Sequence, residues 1–119
     1  MKHWAAKYIG QPWSAVDNCW AFVRRVCLER YGVKMPHVEV GATDNAKAIR
    51  AATVGWMRVF LPVEGDIVLM RSLVKLHCGL IVTTSVGVHV LHSQEGVGVA
   101  CQTLRDASQG MSCEYWRRR

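Results

Sequence analysis

The chain has 119 residues, 50% of them hydrophobic and 20% charged, and a formal net charge of +6. That length suits one domain, residues 1–119, with its own core. It holds neither the ~20-residue apolar run of a membrane span nor the apolar leader of a secretory signal near Met1. Five cysteines, at positions 19, 27, 78, 101 and 113, are odd in number and form no Cys-x-x-Cys pair, which argues against a disulfide scaffold and the common zinc patterns and for reduced thiols.

In chain order, His3 to Ile9 is predicted as a short helix stopped by Gly10 and Pro12. Asp17 or Asn18 caps the next helix. Its apolar positions Cys19, Phe22, Val23, Val26 and Cys27 follow the i, i+3, i+4, i+7, i+8 template, with Arg24, Arg25 and Glu29 off that stripe and Gly32 as the stop. Asp44 is the expected cap of a third helix through Ala46, Ile49 and Ala52 that ends near Gly55. From Trp56 the pattern turns to strands: WMRVF, DIVLMRS, HCGLIVTT, GVHVLHS, GVACQTL and a last candidate, CEYWRRR. Helices followed by consecutive short strands imply an α+β domain, with N-terminal helices packed on a meandering antiparallel sheet. The closing WRRR reads as a basic, frayed tail.

Two cysteines share the apolar helix stripe, and their positions separate them. Cys27, two turns in, suits core packing. Cys19 opens the helix, where unpaired N–H groups and the positive end of the dipole favour a thiolate and can bind an oxyanion. A nucleophile also needs a base, and the histidines at 3, 37, 77, 89 and 92 are the candidates. Alternation puts His77, Gly79, Ile81 and Thr83 on one strand face and His92, Val90 and Val88 on one face of the next, with His89 turned away. A hairpin with Thr84 and Ser85 as its two-residue loop sets His77 opposite His92. Gly79, beside His77, leaves room for the helix end. The result is Cys19 as nucleophile, His77 as base and His92 as the residue that orients the base.

The segments YIGQPW, DNCWAFVRRVCLERYGVKMP, EGDIVLMRS, HCGLIV and VLHSQEGVGV resemble, in order and spacing, the NlpC-type cell-wall cysteine peptidases, in particular the subset carried by tailed phages and prophages. The resemblance implies a papain-like α+β fold and hydrolysis of a peptidoglycan stem peptide, typically between γ-D-glutamate and diaminopimelate, without metal or cofactor. It sets the catalytic residues on Cys19, His77 and His92 and makes Trp13, Asp17 and Trp20 the substrate-contact candidates. It also implies a protein made in the bacterial cytoplasm without a signal peptide, associated with other phage tail-tip proteins, and acting on the wall. In four respects the sequence departs from much of the family, one being Trp13, which stands where many relatives have a tyrosine near the cleft. Asn18 stands between Asp17 and Cys19, and Trp20 and Cys78 occupy positions where a small residue and a β-branched residue are usual.

Other readings compete. His89-x-x-His92 has helical metal-ligand spacing, but its valine-rich setting is a strand, which splits the pair. The positive charge suits any polyanion, nucleic acid or wall. However, Trp4, Trp13 and Trp56 lack the regular basic spacing of a stacking groove, so no nucleic-acid partner is expected. A structural tail protein that keeps the peptidase fold is the non-enzyme alternative, and a papain-like amidase or acyltransferase the enzymatic one.

Overall fold

The computed structural model of the protein describes residues 3–35, 55–73 and 76–119. The expected helix through Ala46, Ile49 and Ala52, and His37 with it, lie outside the described residues. A 3₁₀ turn, Trp4–Tyr8, and helix α1, Cys19–Tyr31, are followed by strands β1 (Trp56–Val59), β2 (Ile67–Arg71), β3 (Leu76–Thr84), β4 (Gly87–Gln94) and β5 (Gly98–Thr103). A short helix α2 (Leu104–Ser108) and strand β6 (Ser112–Arg118) complete the order.

Helix α1 forms where its stripe and caps predict. Asn18, not Asp17, is the N-cap: its side chain accepts from the Ala21 N–H at 3.0 Å, relieving one of the orphan donors of the first turn. Gly32 ends the helix in the left-handed conformation at φ 68°, and its N–H returns to the carbonyls of Cys27 and Leu28. Trp20, Phe22, Val23, Val26 and Cys27 are buried against Ile67, Leu69, Cys78, Leu80, Val82, Leu91 and Val99, which line one face of the sheet. The opposite face carries Val68, Met70, Ile81 and Val90 under Ala107 of α2. The fold is therefore α+β, a single antiparallel six-stranded sheet with α1 on one side and α2 on the other.

Two expectations about the sheet need correction. The strand order is β1-β6-β2-β3-β4-β5, so only β2 to β5 form a meander, and β6 returns to lie between β1 and β2. The CEYWRRR candidate is thus a strand, and its closing WRRR is not a frayed tail. Arg117 makes a two-pronged pair with the carboxylate of Asp66, both contacts at 2.9 Å, and also donates to the Leu61 carbonyl. Asp66, 1% exposed, further accepts from the Val63 N–H at 2.8 Å, and this tie holds the start of β2 to β6.

The second correction concerns the β3–β4 hairpin. Its loop is Ser85-Val86, not Thr84-Ser85, and the pairing runs from Leu80↔Leu91 to Thr84↔Gly87. Thr84 Oγ1 accepts from the Val86 N–H at 3.2 Å, and Gly87 takes φ 123°, a left-handed position that a side chain resists. The register therefore differs from the expected one by two residues. An even shift preserves faces, so His77 and His92 remain on the same side but meet diagonally, with Gly79 next to His92.

Candidate active site

Cys19 is the first residue of α1 and half-buried. The loop before it is pinned by its own hydrogen bonds: Asp17 N–H to Ser14 Oγ at 2.9 Å, Ser14 N–H to the Asp17 carbonyl at 3.2 Å, and Asn18 Nδ2 to the Ala15 carbonyl at 3.4 Å. The Asn18 cap and this turn orient the first residue of the helix toward the start of β3.

At that place β3 offers two successive residues to the thiol. Cys78 is fully buried on the face covered by α1, whereas His77, 7% exposed, follows the other face. Hydrogen bonding from the Cys78 side chain, opposed by burial and then joined by the hydrogen bond and charge of His77 and the Cys78 backbone, holds the Cys19 thiol well below its ordinary value. The other cysteines move the opposite way. Cys78 is pushed well up by its hydrogen bond with Cys19 and by burial. Burial pushes Cys27 up to about 12 and also raises Cys101 and Cys113. Among the five thiols, only Cys19 has an environment that favours the thiolate.

His77 is held from behind. Its Nε2 lies 2.7 Å from Nδ1 of His92, which is 0% exposed, and Nε2 of His92 lies 2.6 Å from Gln102 Oε1. Gln94 Nε2 donates to that same oxygen at 3.1 Å, which orients the Gln102 amide. The tautomers follow from this acceptor. His92 Nε2–H donates to Gln102, so His92 Nδ1 is the lone-pair nitrogen and accepts from His77 Nε2–H. Nδ1 of His77 is then the basic nitrogen available to Cys19. Gln94 Nε2 is also 3.1 Å from His92 Nε2, but donation there would set two lone pairs against each other at 2.6 Å on the Gln102 side.

Gly79 serves a different purpose from the expected one. A Cβ on it would meet Val90 Cγ1 at 2.5 Å, His92 Cβ at 3.1 Å and the Leu91 carbonyl at 3.2 Å, so the missing side chain admits β4 and His92 rather than the helix end.

Of the substrate-contact candidates, Trp20 is 2% exposed and belongs to the hydrophobic core under α1, so it presents no surface to a ligand. Asp17 pairs with Arg25 at 3.3 Å, a half-exposed contact along the helix, and Trp13 is half-buried in the preceding loop. His89 bonds Thr84 Oγ1 at 3.3 Å and the Gly87 carbonyl at 3.2 Å, at the far end of the hairpin, and His3 bonds the Thr83 carbonyl at 2.8 Å. Two participants escaped the sequence reading, Gln94 and Gln102, while Cys78, expected in the core facing away from His77, is buried there. Gln94 shares strand parity with His92, and Gln102 pairs with Val90 on the same face, so alternation alone was enough to find both glutamines.

Among the described residues no group of three or more His, Cys, Asp or Glu side chains is arranged to hold a metal ion, and no helix is long and apolar enough to cross a membrane. Compared with known proteins, the chain matches no family model and no curated protein.

Proposed function

We propose that the chain is a cysteine peptidase of the NlpC type, with a papain-like arrangement of helix and sheet, that hydrolyses peptidoglycan stem peptides. The observation that carries this reading is a cysteine at a helix N-terminus whose thiol pKa is lowered by the neighbouring Cys78 and His77, with His77 itself held by a buried His92–Gln102 relay. In the proposed reaction Cys19 gives its thiol proton to His77 Nδ1 and the resulting thiolate attacks the scissile carbonyl. The Cys19 N–H, which heads α1, donates to the oxyanion, and His77 gives its Nδ1 proton to the leaving amine. Water then enters, loses its proton to Nδ1 and releases the acyl group from sulfur. His92 and Gln102 touch none of the reacting atoms and act by positioning His77.

The substrate class, the γ-D-glutamyl–diaminopimelate bond, comes from the family resemblance, as does delivery on a phage or prophage tail-tip assembly. The net charge of +6 supports attraction to an anionic wall without giving bond specificity. Digestion of purified peptidoglycan by the wild-type chain and by Cys19→Ala, with mass analysis of the soluble muropeptides, tests the reading. Cys19-dependent release of stem-peptide fragments is expected. Wall binding with no Cys19-dependent product would favour the structural tail-protein alternative, and release of a different bond type an amidase or acyltransferase.

A further inference from the structure

The turn that leads from β1 to β2 points its apolar side chains outward. Leu61 is 83% exposed, Phe60 77% and Val63 50%, whereas Phe22, the other phenylalanine of the chain, is fully buried. The backbone beneath them is held fast. Arg117 donates to the Leu61 carbonyl at 3.2 Å, Asp66 Oδ2 accepts from the Val63 N–H at 2.8 Å, and the Asp66 N–H returns to the Val63 carbonyl at 3.1 Å. A pinned turn that exposes successive large apolar groups loses little conformational entropy when those groups are covered. Basic side chains follow the same edge of the sheet. β1 and β6 carry one carboxylate, Glu114, against Arg58, Arg117 and Arg118, with Arg119 next in the chain. The Arg58 guanidinium stands over the Phe60 ring, 5.3 Å from its centroid, and Arg58, Arg118 and Arg119 are exposed.

We propose that the turn at Phe60 to Val63, together with the β1 edge, docks on an anionic lipid bilayer, the apolar tip entering the headgroup layer and the arginines pairing with lipid phosphates. Side chains exposed to this degree project from the surface instead of lining a groove, which suits a deformable apolar layer better than a protein that would have to supply a pocket. An apolar tip or a basic patch alone attaches marginally, and the two together attach firmly. Other occupants fit the edge less well. A second copy paired antiparallel along β1 would bring the Arg58 side chains of both copies into one ladder, a like-charge arrangement that disfavours edge pairing. An acidic peptide added as a strand would engage the arginines and leave Phe60 to Val63, beyond the end of β1, uncovered. In the strand order β1-β6-β2-β3, the strand of His77 lies three spacings from β1, about 14 Å. Docking by this edge therefore keeps the candidate site clear of the lipid.

Docking goes beyond the peptidase reading and does not depend on it, and the test keeps the two apart. The full chain is sedimented with vesicles of phosphatidylcholine and with vesicles of phosphatidylcholine and phosphatidylglycerol in equal parts, across a salt series. Binding to the anionic vesicles is expected, falling with salt and roughly 10- to 100-fold weaker on the neutral ones. Phe60→Ser/Leu61→Ser alters exposed side chains and should weaken that binding by about tenfold or more, while muropeptide release from purified peptidoglycan stays at the wild-type rate. Arg58→Gln/Arg118→Gln should weaken it too and flatten its salt dependence, a second variant set that keeps the test open if the first misfolds. Sedimentation with neither vesicle, or binding that both variant sets retain in full, would overturn the proposal. Dimerisation that Phe60→Ser/Leu61→Ser abolishes, in a chain that ignores vesicles, would overturn it in favour of a second copy, and capture by poly-L-glutamate alone in favour of an acidic chain. Vesicle binding of the expected pattern by a chain that releases no muropeptides would keep the docking surface and overturn the peptidase reading.

Discussion

His92 reaches His77 from a diagonal position on the neighbouring strand, Nδ1 to Nε2 at 2.7 Å, and is itself anchored by Gln102 at 2.6 Å. The candidate base is therefore oriented by a relay that ends in an amide rather than in a carboxylate. Removing the base and loosening the relay are expected to have unequal consequences. His77→Ala should lower kcat/KM for a stem-peptide substrate by roughly 10²- to 10⁴-fold, the usual contribution of a positioned acid–base group. His92→Gln should lose less, because its amide oxygen can accept from His77 Nε2–H. His89→Ala should change the rate little, since its contacts lie at the Thr84–Gly87 turn. Steady-state kinetics of the three variants check the ranking, and a larger effect at His89 than at His92 would refute it.

Gln102 gives a sharper test because it touches no reacting atom. Gln102→Leu removes the acceptor and frees His92 to change tautomer, for an expected loss of about tenfold in kcat with a small change in KM. Gln102→Glu keeps an acceptor but adds negative charge, which favours imidazolium in the relay. The alkaline limb of the pH–rate profile, where the imidazolium loses its proton, should then move to higher pH. An unshifted profile in Gln102→Glu would assign the residue to packing alone.

The thiol environments set an order of reactivity. Because the Cys19 value is depressed, its alkylation rate should reach a plateau below the usual thiol range, while Cys27, raised to about 12, stays inert near neutrality. Hydrogen bonding from Cys78 is the largest cause of that depression, so Cys78→Ala should move the Cys19 titration upward, toward an ordinary thiol, with His77 retaining part of the effect. Peptide mass mapping after timed iodoacetamide exposure across a pH series measures both. Faster labelling of Cys101 or Cys113 than of Cys19 would contradict the site.

Gly79 is expected to tolerate no side chain. In Gly79→Ala the added Cβ meets Val90 Cγ1 and the Leu91 carbonyl, neither of them the end of a flexible chain, so β4 must shift with His92 on it. Overpacking of this kind costs roughly 1–3 kcal/mol. A denaturant titration should find that loss of stability, accompanied by a fall in kcat beyond that of a remote variant of equal instability.

Much of this arrangement was legible in the sequence because it depends on short-range periods. The stripe from Cys19 to Cys27 and its stop at Gly32 defined α1, and alternation put His77 and His92 on a common face. The same alternation cannot detect an even register shift, which exchanges partners without exchanging faces, so the Ser85-Val86 loop and the diagonal histidines were out of its reach. Strand order is likewise a tertiary property. Nothing local in SCEYWRR distinguishes an edge strand from one that pairs on both sides. The core place of Cys78, on the pleat opposite to His77, was legible in the same alternation, but its effect on the Cys19 thiol was not, because that depends on where the start of a helix packs against the strand.

The return of β6 also has a kinetic consequence. The ladder between β2 and β6 pairs Ile67 with Trp116, the Asp66–Arg117 tie beside it spans 51 positions, and among the described residues β1 pairs with β6 alone. The β2–β5 meander can form from nearby segments, whereas β1 must wait for β6 to close a long loop at considerable entropic cost. Hydrogen exchange after refolding should therefore protect the amides of β3 and β4, the strands that carry His77 and His92, before those of Trp56–Val59. The half of the sheet that carries the candidate site would then be assembled ahead of the flank that completes it.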